Sequence, residues 1–231
     1  MCDRRPEHIP GARLAARNPE RTPNDSICDD LLSAVHQFYD TAQSWHCHAP
    51  VTSYASGGIE RKALHLHAMN FNLWHHEDAV RRPGIGDHEV ADRKRSIDDL
   101  NARRNAAIED IDVTLLHLTN PNHHSAAMLH TETPAMVVDR LSVLTLRILH
   151  TNRPAQATDP RLAVLAEQYG DLVLGLEQFL TRIQQGDVRF KPYRQFKSAG
   201  QRSYCALFER SVPVMSGDTT SDFNHQENDL P

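Results

Sequence analysis

The stretch "TETPAMVVDRLSVLTLRILH", residues 131–150, decides the fold. Pro134 sits where a helix tolerates proline best, in its first turn, and the residues that follow are apolar almost all round. A helix with no wet face belongs in the middle of its domain, so other helices must cover it. Its few polar members, Asp139, Arg140, Ser142 and His150, then need a reason to be there.

Apolar residues recur at helical spacing in four further segments, and β-branched alternation is almost absent. The pattern predicts an all-α, up-and-down bundle of about five helices. The first begins after Asn24, Asp25 or Ser26 and carries Ile27, Leu31, Ala34, Val35, Phe38 and Ala42 on one stripe. The second runs from Ile59 to about Arg82 and stops at Pro83, Gly84 and Gly86. Asp87 opens a third that reaches about Leu118, and the short connection makes the two antiparallel neighbours. A polar loop over residues 119–131 leads into the fourth helix, and Thr158 or Asp159 caps a fifth that ends near Gly186. The segment "RFKPYRQFK", residues 189–197, is too short and proline-broken for a long helix. One domain, residues 26–200, is expected between disordered tails at 1–25 and 201–231, both poor in apolar periodicity.

Net charge is −5 and the basic residues are dispersed, which argues against nucleic acid as a partner. No apolar run is long enough for a bilayer, so no membrane partner is expected. Cys2, Cys28, Cys47 and Cys205 form no paired motif, and without an export signal pattern the expected setting is the cytoplasm with free thiols.

The second helix holds the densest set of titratable groups, "LHLHAMNFNLWHHEDAVRR" at residues 64–82. At 100° per residue, His67, Asn70, Trp74, Asp78 and Arg81 share a stripe about 80° wide. Leu66, Met69, Leu73 and Val80 form a separate apolar stripe, Glu77 lies between the two, and His65 and His76 point away toward solvent. His67 and Asp78 are about 16 Å apart along the axis, so each needs a partner from another helix. On the third helix Asn101, Arg104, Asn105, Glu109 and Asp112 share a sector with Ile97, Ile108 and Leu115. On the fourth, Asp139, Ser142 and His150 interrupt the apolar surface beside Arg140, with Glu132 just ahead of the first turn, where its charge favours the helix dipole. Buried polar groups cost about 1–3 kcal/mol each when unpaired. These residues therefore either pair in a layer that sets helix register or line a pocket between helices two, three and four.

Three blocks carry a resemblance: "NFNLWHHEDAVRR", "DDLNARRNAAIEDID" and "TETPAMVVDRLSVLTLRILH". With "YRQFK" after them, they resemble a family of bacterial proteins known only as a domain of unknown function, over roughly residues 27–200. The resemblance implies a soluble helical protein, with some relatives set in glycan or specialised-metabolite assembly. It brings no reaction with it.

Chemistry narrows by elimination. A di-metal bundle needs two Glu-x-x-His pairs, and the sequence has none. A mononuclear site using His67, Asp78 and a group on helix three or four stays geometrically open. The "HCH" of residues 46–48 is disfavoured because adjacent side chains diverge. No metal ligand is assigned, and no cofactor is identified. Glycine-rich phosphate loops and nucleophile elbows are absent. What remains is acid/base chemistry on a small polar or anionic molecule, with His67 or His75 as base and Glu77, Asp78 or Glu109 as acid or orienting group. Asn70, Trp74, Asn101, Asn105, Glu132 and Asp139 are the expected substrate contacts, with Arg81, Arg104 or Arg140 gripping the anion. The expectation is a biosynthetic enzyme. The alternative is a noncatalytic helical binding or scaffold protein that assists such a pathway and docks a protein partner through the 189–197 segment; a homo-oligomer is also open.

Overall fold

The computed structural model describes residues 23–50, 57–119, 126–152 and 159–193, all within one unit, Met1–Phe196. Five helices account for most of it: α1 (Pro23–Trp45), α2 (Ile59–Val80), α3 (Asp87–Thr119), α4 (Pro134–Thr151) and α5 (Pro160–Gln184). The all-α bundle is thus the architecture. The tail residues 1–22 and 201–231 lie outside the described residues, whereas Pro23–Asp25, expected in the N-terminal tail, open α1.

Helix α4 packs against each of the other four helices, as its all-round apolarity requires. Val138, Leu141, Leu146 and Ile148 are essentially inaccessible to solvent. Val138, Leu141 and Ile148 meet Leu31, Val35 and Phe38 of α1, Leu66 of α2, Ile111 and Leu115 of α3, and Leu176, Leu180 and Ile183 of α5 in the common core, while Leu146 packs with Ala42 and Phe71 in a smaller cluster. The caps follow the sequence. Thr133 accepts the Met136 amide at the start of α4, and Asp159 accepts the Arg161 amide at the start of α5, each followed by proline in the first turn.

Helices α2 and α3 pack antiparallel through their turn at 81–86. Three ion pairs record the direction: Lys62 with Asp110, Glu77 with Lys94, and Arg82 with Glu89. Gly84 makes the turn at φ +79°, a conformation that costs a residue with a Cβ. The breadth of this packing overturns one expectation. His65 and His76 do not face water; they are half-buried, because the polar sides of Arg103 and Asp110 lie near His65 and Arg93 near His76.

A small sheet is the other departure. Met128–His130 (β1), inside the expected polar loop, pairs in parallel with Val188–Phe190 (β2), which overlaps the start of the 189–197 segment. Three residues are too few to display a strand period. Helices α4 and α5 form the crossover that a parallel pair requires. Val188 and Phe190 are buried and Phe179 contacts Phe190, so the strand closes the lower end of the core. Among the described residues, no helix is long and apolar enough to cross a membrane.

Candidate functional site

The polar residues that interrupt the apolar faces of α2, α3 and α4 meet. Asp139 on α4 receives Arg104 of α3 in a two-pronged ion pair, Nε to Oδ1 at 2.7 Å with Nη2 on Oδ2. Its Oδ1 also accepts Asn70 Nδ2 of α2 at 2.9 Å. The same amide nitrogen donates to Ser142 Oγ at 3.0 Å, and Ser142 stands 2.7 Å from His67 Nδ1. His67 Nε2 lies 2.9 Å from the carbonyl oxygen of Phe38 on α1.

The proton positions along this chain are forced. A carbonyl only accepts, so His67 carries its hydrogen on Nε2 and presents a lone pair at Nδ1. Ser142 therefore donates to His67 while accepting from Asn70, and Asn70 spends both amide hydrogens on Asp139 and Ser142. The direction runs from Asn70 through Ser142 and His67 to the α1 backbone. Arg104 closes the other end.

His67 is consequently not the reachable base expected from the sequence. It is fully buried, stacked on Phe38 at 4.2 Å, and both ring nitrogens are committed. Burial pushes its pKa down to about 3, against a smaller upward pull from the Phe38 carbonyl, so the ring stays neutral. The Asp139 bond is the main cause that raises the Arg104 pKa, which keeps that guanidinium charged.

Above this layer the surface opens into hollows that share Arg104. One, of about 410 Å³, lies between α2, α3 and α4 and is lined by Asn70, Trp74, Glu77, Asp78, Arg81 and Asn101, with Arg104 and Arg147. A second, of about 520 Å³, continues across α4 toward α5 past Asp139, Arg140, Arg147 and Asp171. A third, of about 230 Å³, holds Asn105, Glu109, Asp112 and Tyr193. These volumes lie in or just below the range of small-ligand sites. The structure thus gathers Asn70, Trp74, Glu77, Asp78, Arg81, Asn101 and Arg104 on one cleft, with Asn105, Glu109 and Asp139 around its Arg104 corner.

Arg81 contacts both Glu77 at 3.3 Å and Asp78 at 3.8 Å, and Arg140 pairs with Glu132 at 2.8 Å. Glu132 is thus held by a residue of α4 itself. A second acid, Asp112 of α3, meets the α4 N-terminus directly: it is buried, accepts the Ala135 amide at 3.0 Å and holds the Thr133 hydroxyl. Burial raises its pKa to about 6, partly offset by those hydrogen bonds. Arg147 is the residue that sequence reasoning missed. It is exposed where the two larger hollows join, and among the described residues it makes no ion pair. On sequence it reads as a lone solvated arginine of an apolar helix.

His75 goes elsewhere. Its ring turns to the opposite side of Trp74, toward His46 at the end of α1 and His150 near the end of α4. Of the expected docking segment, Phe190 is buried in β2, Arg189 donates to the Ala127 carbonyl, Tyr193 is exposed, and residues 194–197 lie outside the described residues.

No curated protein matches this chain, and no solved structure does. The chain matches the family described as "Protein of unknown function (DUF4254)" over residues 60–192, from α2 through β2 and so across every wall of the main cleft. That match covers more than half of the 231 residues, and the chain belongs to this family.

Proposed function

We propose that this protein is a cytoplasmic small-molecule enzyme that binds a polar, anionic substrate in the cleft between α2, α3 and α4 and acts on it by acid/base chemistry. The family resemblance supplies the setting, glycan or specialised-metabolite biosynthesis. One observation carries the reading: Arg147, which makes no ion pair among the described residues, stands at the junction of two hollows, beside an Arg104 whose orientation Asp139 fixes. A rigid guanidinium next to an uncommitted one suits a carboxylate or phosphate, which each can grip with two hydrogen bonds. Glu77 and Asp78 line the same cleft within reach of Arg81, and they are the carboxylates available for proton transfer once His67 is excluded.

The test is binding of inorganic phosphate, pyrophosphate, a sugar phosphate and a dicarboxylate by calorimetry and thermal shift. At least one should saturate the native chain, and Arg147→Ala should weaken it about tenfold or more, the loss of one charge-assisted contact. Because Arg147 is exposed, its replacement leaves the melting temperature in place. Anion binding that survives Arg147→Ala, or no saturation by any of the four, overturns the reading.

A further inference from the structure

The three histidines on the far side of Trp74 have a geometry that core packing does not require. Their ring centroids form a nearly equilateral triangle: His46 to His75 at 5.1 Å, His46 to His150 at 5.2 Å, His75 to His150 at 5.2 Å. The ring planes are inclined to one another by 79°, 56° and 66°, so no two are stacked. One nitrogen from each ring lies within 4.8 Å of the other two.

Hydrogen bonding sets two of the tautomers. His46 Nδ1 lies 2.9 Å from the Ala42 carbonyl, and His150 Nδ1 lies 2.7 Å from the Leu146 carbonyl. Each Nδ1 must donate, which leaves each neutral ring with a lone pair on Nε2. Those two Nε2 atoms face each other at 3.3 Å. Two lone pairs held at that distance repel unless something positive lies between them. Beside them, His75 Nε2 is buried and has no hydrogen-bond partner among the described residues.

We propose that His46, His75 and His150 form a site for one divalent transition-metal ion of the zinc class, leaving a fourth position open on the solvent side. Zinc–nitrogen bonds of about 2.0–2.1 Å at tetrahedral angles place neighbouring ligand nitrogens about 3.3–3.4 Å apart. The same geometry puts imidazole centroids about 5.2 Å from one another. The His46–His150 nitrogen separation and all three centroid separations are those of such a site, and one nitrogen of His75 lies within 4.8 Å of the other two.

The surroundings fit as well. Donation of Nδ1–H to a backbone carbonyl is the usual way a metal-binding histidine is oriented and made more basic. Phe71 packs edge-on against His46 and His75, and Trp74 stacks on His150 at 4.9 Å, which gives the site an apolar floor. His46 is exposed at the end of α1, so the open position faces water. Three neutral imidazoles leave the ion's full charge in place, the condition under which a bound water ionises near neutrality. His75 and His150 lie on α2 and α4 and His46 directly follows α1, so the ion also ties the ends of three helices together.

This inference does not depend on the anion reading of the cleft, and one set of measurements separates them. Untagged full-length chain, stripped with a chelator, is titrated with Co²⁺ alone and followed by visible absorption, then challenged with Zn²⁺. The expected result is one Co²⁺ per chain with the intense bands of a four- or five-coordinate ion, displaced by Zn²⁺. His46→Ala and His75→Ala should each weaken binding by about 100-fold or more, at least the largest loss that follows from disturbing an orienting group. His88→Ala, on the exposed face of α3, and Arg147→Ala should leave it unchanged. His46 is exposed and its replacement does not disturb the core, so that variant decides the matter should His75→Ala fail to fold. Equal Co²⁺ binding by native chain and His46→Ala, or only the weak spectrum of six-coordinate cobalt, overturns the proposal and leaves a packed histidine cluster sharing a proton.

Discussion

Acidification should destabilise this protein through His67, and by a predictable amount. In the folded chain the ring is neutral with a pKa of about 3; in the unfolded chain it returns to 6.5. Below pH 6.5 the unfolded state therefore binds a proton that the folded state refuses. The contribution is fully present above pH 6.5 and is lost as pH falls toward 3. At pH 5 the loss is about 2 kcal/mol, from 1.5 pH units at about 1.4 kcal/mol each, and at pH 4 it is about 3 kcal/mol. Other groups titrate in the same range, so the clean measurement is a difference. Urea unfolding of the native chain and of His67→Gln, followed by circular dichroism at pH 7, 6, 5 and 4, gives two stability curves. Glutamine can still donate to the Phe38 carbonyl but has no proton to gain. The variant should be the less stable at pH 7 and should approach the native chain by about 2 kcal/mol at pH 5. Parallel curves would mean that His67 is solvated, and the directional chain from Asn70 to Phe38 would fall with it.

Asp139→Ala leaves the Arg104 guanidinium and the Asn70 amide without their shared acceptor, and should cost about 3–5 kcal/mol by chemical denaturation; a loss below about 1 kcal/mol contradicts the layer. Arg104→Lys keeps the charge but not the two-pronged geometry, so about 1–2 kcal/mol is expected in the same assay. Asp112 acts oppositely to His67 with pH. Its folded pKa of about 6 exceeds the unfolded 3.8, so its protonation adds stability as pH falls through that window, and Asp112→Asn should abolish this term while Asp112→Ala loses about 1–3 kcal/mol at pH 7. Thr133→Ala should lower stability by about 1 kcal/mol in thermal unfolding, the ordinary value of a helix cap.

Much of this was legible in sequence because helices announce themselves locally. Proline after Thr133 and the capping Asp159 marked two helix starts, and the apolarity of 136–149 almost all round placed α4 at the centre. Arg104 and Asp139 stood out because each breaks a face that should be apolar, and Asn70 because it shares a polar stripe beside buried surface. The rest depends on which surfaces meet. His67 shares its stripe with exposed Asp78, yet α1 covers one end of that stripe and not the other. His46 and His150 are 104 residues apart, and no spacing rule joins them. The three-residue strands lie below the length at which alternation can be recognised.

The one-way hydrogen-bond layer also bears on how such a chain can diverge. Asn70 donates to both Asp139 and Ser142, while Ser142 and His67 each accept from one neighbour and donate to the next, so a single replacement strands a polar atom on both sides. Drift at these positions should be epistatic: substitutions tolerated only as coordinated sets, such as loss of Arg104 together with Asp139, while the surrounding apolar residues exchange one at a time.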